Sequence, residues 1–270
     1  MSKIPYDSAR PDMKLLRMAV FERLRRDTTW HHLPTSGGAE FDQYVEHVNP
    51  ERKDVFVFHL NEVLWHLLTE GVLAPGTDSA NLNLPWFHVT EFGRAVLESA
   101  SANVFDPDGY LDFVRGRVSA ADPTVLAYLG ESLNSLRRGT LVASAVMLGI
   151  AAERVFLLLS DSLHAALSSA KEKKDFGALL ERFQMKPKLD WVRAKIEALQ
   201  AARTAGFPEN ASIMVVAMYD LIRQQRNELG HPRENPPSLT RDDVLGNLQV
   251  FIRYYETAEV VRSFFVSNNV

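Results

Sequence analysis

Arg226-Asn227-Glu228-Leu229-Gly230-His231-Pro232 closes a segment that opens near Asn210 with the apolar run Ile213-Met214-Val215-Val216-Ala217-Met218-Tyr219. Met214, Met218, Leu221, Ile222 and Leu229 recur at helical spacing, so the segment reads as a helix that starts in a core. Arg223, Gln224, Gln225, Arg226 and Asn227 cover the other side of its last turns. Gly230 and Pro232 form a stop signal, because glycine accepts the left-handed position past a helix end and proline cannot continue the helix. On an unbroken helix Arg226 and His231 would point about 140° apart. A break at Gly230 frees His231 to swing back toward Arg226, with Asn227 on nearly the same face. A guanidinium, an amide and an imidazole then converge at one exposed helix end.

The rest of the carboxy-terminal part reads as helices with short connections. Ala121 to Arg138 carries Leu126, Leu129, Leu133 and Leu136 on one side. Thr140 to about Ser168 is the longest predicted helix, apolar nearly all round, which marks a central buried helix. Glu153 and Arg154 interrupt it. A buried charge is costly unless paired, so Glu153 either emerges at a cleft or has a cationic partner. Lys171 to Lys174 reads as a basic patch within a turn. Asp175 to Phe183 and Leu189 to Ala202 read as shorter helices separated by Lys186-Pro187, and a long final helix runs to about Val266. The expectation over residues 121–268 is an all-α bundle.

Toward the amino terminus, residues 101–120 read as a linker with a connecting helix at 109–118. Residues 10–100 read as a separate domain. Met13 to Arg26 is an amphipathic helix, Glu40 to Val48 a second short one, and Val55 to Glu70 a third with Leu60, Leu64, Leu67 and Leu68 buried. Gly71 to Pro75 and Leu84 to Val89 flank a polar tip and form a hairpin. Thr90-Glu91-Phe92-Gly93-Arg94 then caps a further helix running to about Ala100. Helix, helix, helix, hairpin, helix resembles a winged helix, with Leu67 to Leu73 as the end of the recognition helix and Val89 to Arg94 as the segment after the wing. That superfamily often binds DNA, and the charges argue against it here. Residues 1–100 hold 10 Lys/Arg against 14 Asp/Glu, and neither His59 to Glu70 nor the tip Ala74 to Pro85 has a Lys or Arg. Phosphate neutralisation supplies essentially all non-specific DNA affinity. Docking to a protein partner is the alternative.

Composition sets the remaining bounds. The chain has 270 residues, 46% of them hydrophobic, no cysteine and a net charge of −4. Cysteine-based disulfides, metal sites and redox chemistry are therefore excluded. The start Met-Ser-Lys-Ile-Pro-Tyr-Asp lacks a signal-peptide pattern, and Glu153-Arg154 ends the longest apolar run after Ala152, short of the roughly 20 residues a bilayer requires. A cytoplasmic protein with no membrane partner is expected. The eight histidines form no metal-binding pattern, and no Gly-rich phosphate loop or nucleophile elbow is present. No cofactor or metal is expected.

A late helix ending in Arg-x4-His, with Asn directly after the Arg, resembles the HEPN superfamily (higher eukaryotes and prokaryotes nucleotide-binding). The apolar helix carrying Gly149-Ile150-Ala151-Ala152-Glu153-Arg154 is similar to that family's long first helix with an embedded acidic residue. The resemblance spans about residues 121–265. The fold expected overall is mainly α: an amino-terminal winged helix with a small β-hairpin wing, followed by an all-α HEPN-like helical bundle. The resemblance implies a metal-independent endoribonuclease acting on RNA at a homodimer interface, in the manner of a toxin of a toxin–antitoxin pair or an antiviral-defence effector. A regulatory protein partner would use the amino-terminal domain.

Carried over residue by residue, His231 is the general base or acid and Arg226 holds the scissile phosphate. Asn227 orients the phosphate or the imidazole, and Glu153 orients Arg226. Each has a plainer reading beside it. His231 can cap a helix end, Arg226 can pair with Glu153 or another carboxylate, and Asn227 can satisfy terminal carbonyls. A non-catalytic HEPN-like module binding nucleotide, RNA or protein is the second reading, in keeping with 20 basic and 20 acidic residues over 101–270. A DNA-binding regulator is the third.

Overall fold

The computed structural model describes residues 4–7, 11–26, 45–46, 53–98, 107–230, 234 and 238–270. The chain is mainly helical and divides into two compact units, Met1–Asn103 and Val104–Val270.

In the first unit, helices α1 (Met13–Arg26), α2 (Lys53–Thr69) and α3 (Glu91–Glu98) accompany a hairpin of strands β3 (Leu73–Pro75) and β4 (Phe87–Val89). Leu16, Val20 and Leu24 of α1 are buried, as are Phe56, Leu60, Leu64 and Leu67 of α2, in keeping with the predicted stripes, while Leu68 of the predicted α2 stripe is only half-buried. The junction after the hairpin is tightly made. Thr90 accepts a bond from the amide of Gly93 at 2.8 Å and donates to the Gly71 carbonyl at 2.7 Å. A side chain at Gly93 would collide with the Val72 carbonyl oxygen, 2.1 Å from the position a Cβ would take. A bidentate pair, Arg17 to Glu70 at 3.1 and 2.6 Å, ties α1 to the turn after α2. The expected helix over Glu40 to Val48 is corrected where it is described: Val45–Glu46 is a short strand, β2, paired in parallel with Ile4–Pro5, β1. Its β-branched valine finds a strand partner far along the chain, which local pattern could not reveal. The remainder of that predicted helix lies outside the described residues.

In the second unit, α4 (Pro107–Arg117) is no free connector. It packs on α5 (Pro123–Arg137), and buried Tyr110 donates to the Leu248 carbonyl at 3.0 Å. Helix α6 (Leu141–Ala166) lies at the centre and packs against α5, α9 (Met218–Gly230) and α10 (Arg241–Ser267). At its crossing with α5, Ser132 and Ser144 each donate to the other's carbonyl at 2.8 Å, so the buried hydroxyls are satisfied while the helices approach closely. Among the described residues α6 is the one helix long and apolar enough to cross a membrane. Its flanks are occupied by neighbouring helices. At 27 residues α10, with a Thr240–Asp243 capping box, is one residue longer than α6, which the sequence reading had made the longest.

Two further boundaries shift. Lys171 to Lys174 lie in the first turns of α7 (Ala170–Leu180), capped by Ser169, and form no turn. Pro187 does not separate two helices: it sits in the first turn of α8 (Met185–Ala201), where a missing N–H costs nothing. The more consequential shift precedes α9. Residues Ser212–Ala217 are π-helical, with a wider turn than the α-helix assumed from sequence. The extra residue in the turn rotates the face that follows. Val215, Val216, Tyr219 and Ile222 are buried, whereas Leu221 of the predicted inner stripe is 53% exposed and Ile213 is 69% exposed.

Candidate functional site

Helices α6 and α9 cross so that residues seven apart on one meet residues seven apart on the other. Seven residues are nearly two turns, so Gly149 and Phe156 share one face of α6, and Tyr219 and Arg226 one face of α9. At one level the rings of Phe156 and Tyr219 stack at 4.5 Å, only 2° from parallel. Two turns away, Arg226 passes over Gly149. An added Cβ on Gly149 would lie 2.5 Å from both Cβ and Cγ of Arg226, so only glycine leaves room for the arginine stem.

Between these levels stands Glu153. Its Oε2 lies 3.5 Å from Nη2 of Arg226, and the two side chains are 27% and 35% exposed. The acid embedded in the apolar helix is therefore partly exposed and faces a cation. Arg226 Nη1 also donates to Asn227 Oδ1 at 3.0 Å. Three of the four predicted site residues, Glu153, Arg226 and Asn227, are thus brought together. His231 lies outside the described residues.

Gly230 corrects one expectation. It is the last residue of α9 and does not adopt a positive φ, unlike Gly71, Gly76, Gly139 and Gly206. The helical hydrogen bonding of α9 reaches through it, so the reversal assumed at Gly230 is not made by its own backbone.

Arg154, the second charge in the apolar run, faces another neighbour. Its Nη2 lies 3.1 Å from Oδ2 of Asp122, which caps α5 through the amides of Thr124 and Val125. Burial alone would raise the Asp122 pKa, but the bonds from Arg154 and from these amides outweigh it and hold the carboxyl below its ordinary value. Adjacent charges on α6 thus serve two different helices.

Two participants escaped the sequence reading. Gly149 was legible as a lone glycine in a long apolar helix, though nothing local named what passes over it. Tyr219 was read as the end of an apolar run. It is fully buried, its hydroxyl has no hydrogen-bond partner among the described residues, and burial followed by the nearby Glu153 carboxylate pushes its pKa well up. The seven-residue spacing of Tyr219 and Arg226 was the available signal.

No family model, no curated protein and no solved structure matches this chain.

Proposed function

We propose that the Val104–Val270 unit is a HEPN-type, metal-independent endoribonuclease that works as a homodimer. The observation that carries this reading is the presentation of Arg226: its stem is seated over Gly149, and its guanidinium sits partly exposed between Glu153 and Asn227 at the end of α9. A guanidinium so held suits bidentate contact with a phosphodiester. Asn227 fixes its direction through a hydrogen bond before substrate arrives, which reduces the reorganisation needed at the reacting centre, and Glu153 balances its charge in the free protein.

In the proposed reaction the ribose 2′-oxygen attacks phosphorus as its proton passes to the imidazole of His231. The bond to the 5′-oxygen breaks, and that oxygen receives a proton from an imidazolium. The products are a 2′,3′-cyclic phosphate and a 5′-hydroxyl. Imidazole titrates near neutral pH and serves in either role. Arg226 neutralises the charge that builds on the non-bridging oxygens. Ile213 and Leu221, exposed on the segment that leads to the motif, offer apolar side chains to a second copy.

For the Met1–Asn103 unit the reading is a winged-helix-like docking module. Phe58 and Trp65 of α2, seven residues apart on one stripe, are 72% and 58% exposed, with no Lys or Arg on the helix after Lys53. That surface suits a protein partner better than DNA. A toxin or antiviral role, with this module restraining or directing the nuclease, follows from the same reading.

A non-catalytic RNA- or protein-binding bundle is the second reading, favoured by the ion pair that already occupies Arg226. The test is incubation of folded wild type, Arg226→Ala and His231→Ala with total RNA in EDTA. Cleavage by wild type alone, leaving cyclic-phosphate ends, is the expected result. Equal cleavage by all three would place the activity elsewhere, and absence of cleavage by folded, dimeric wild type would favour the binder.

A further inference from the structure

The buried hydroxyl of Tyr219 stands out because buried polar groups nearly always find a partner. Its ring is fixed on two sides, stacked on Phe156 at 4.5 Å and near-parallel to Tyr254 at 6.0 Å, so the hydroxyl cannot swing out to solvent. The neighbouring Tyr254 shows the ordinary solution, donating to the Ala152 carbonyl at 3.0 Å. Tyr219 has no such acceptor among the described residues.

Four charged groups act on it: Glu153, Arg223, Arg226 and Asp220. The Asp220 carboxylate is already held by Arg223, at 3.0 and 2.7 Å, and by Gln224 at 3.0 Å. Arginines offer no acceptor. Glu153 remains. It makes no hydrogen bond among the described residues, and its contact with Arg226 at 3.5 Å is longer than the roughly 2.7–2.9 Å of a charge-assisted hydrogen bond. A partly exposed glutamate held so loosely is free to change rotamer.

We infer that Tyr219 is a positioning residue that provides a second seat for the Glu153 carboxylate: when a phosphate group engages Arg226, Glu153 leaves the guanidinium and accepts a hydrogen bond from the Tyr219 hydroxyl. This deepens the nuclease reading, since it rests on Arg226 being the phosphate-binding group. The exchange frees the Nη2 side of the guanidinium for the phosphodiester. It also keeps the displaced carboxylate from standing unpaired beside the substrate's negative charge.

Arg226→Ala imposes the exchanged state without any ligand, and a crystal structure of that variant reads where the Glu153 carboxylate sits. A Glu153 carboxylate oxygen should lie within about 2.5–2.7 Å of the Tyr219 hydroxyl, the length of a hydrogen bond to a carboxylate, and in Arg226→Ala/Tyr219→Phe it should leave that place. Tyr219→Phe keeps the stacked ring and removes only an unpartnered hydroxyl, so its melting temperature should not fall. A role confined to packing would leave Glu153 in the same place in both variants, and a carboxylate that stays away from the Tyr219 hydroxyl in Arg226→Ala would overturn the inference. Because this readout needs no RNA, it fails separately from the function. The Glu153–Tyr219 bond without RNA cleavage sinks the nuclease alone, and cleavage without that bond sinks only the second seat.

Discussion

Replacing Gly149 with alanine tests whether the α6–α9 crossing is built around the Arg226 stem. The new methyl would sit 2.5 Å from both Cβ and Cγ of Arg226, against the roughly 3.5–4.0 Å at which carbon pairs are most favourable. The helices must therefore open by about 1 Å, or Arg226 must leave its seat. Overpacking of this kind costs about 1–3 kcal/mol. Alanine in a helix interior returns about 1 kcal/mol relative to glycine. Gly246→Ala is the matched control, because Gly246 lies inside α10 with nothing within 4 Å of its would-be Cβ. It should gain the helical preference without the collision. Both sites lie in the Val104–Val270 unit, so the same thermal transition reports on both. The gap between the variants isolates the collision at about 1–3 kcal/mol, or several degrees at roughly 2–4 °C per kcal/mol. Gly149→Ala should also lose RNA cleavage along with the Arg226–Glu153 contact. If the two variants melt together, the arginine stem does not set the crossing.

The other predictions concern the two charges on α6. Glu153→Gln should change stability by no more than about 1 kcal/mol, as expected for a partly exposed pair without a hydrogen bond, while RNA cleavage falls about tenfold. A chemical-denaturation midpoint displaced by several kcal/mol would instead make Glu153 a structural residue. Asp122→Ala removes both the α5 cap and the partner of Arg154, and should cost about 1–2 kcal/mol at pH 7. Because the folded-state pKa of Asp122 is depressed, its contribution is present above the unfolded-state value of about 3.9 and is lost as pH falls through the folded-state value. Wild-type and Asp122→Ala unfolding curves should accordingly converge below about pH 4, and a constant difference down to pH 2 would refute the assignment.

Much of the helical content was legible because helices advertise themselves locally. The apolar course of α6, the leucine stripe of α5, the Thr90 cap and the two strands of the hairpin all follow from neighbours within a few residues. Boundaries failed where a second local rule competed. Pro187 reads as a breaker until its place in the first turn of α8 is known, and the Lys171–Lys174 patch reads as a turn until Ser169 is recognised as a cap.

By itself, the sequence determined a mainly helical chain, a polar motif at the end of an apolar helix, and an acid that ends the longest apolar run. Only the tertiary structure decided which side of that motif helix faces inward. The wider turn at Ser212–Ala217 turns Tyr219 and Ile222 to the core and leaves Leu221 outside, a phase change that periodicity at 3.6 residues cannot register. The meeting of Arg226 with Gly149 and Glu153 likewise joins residues more than seventy positions apart. Such contacts depend on how two helices cross, and a helix's own sequence states its faces without stating what will lie against them.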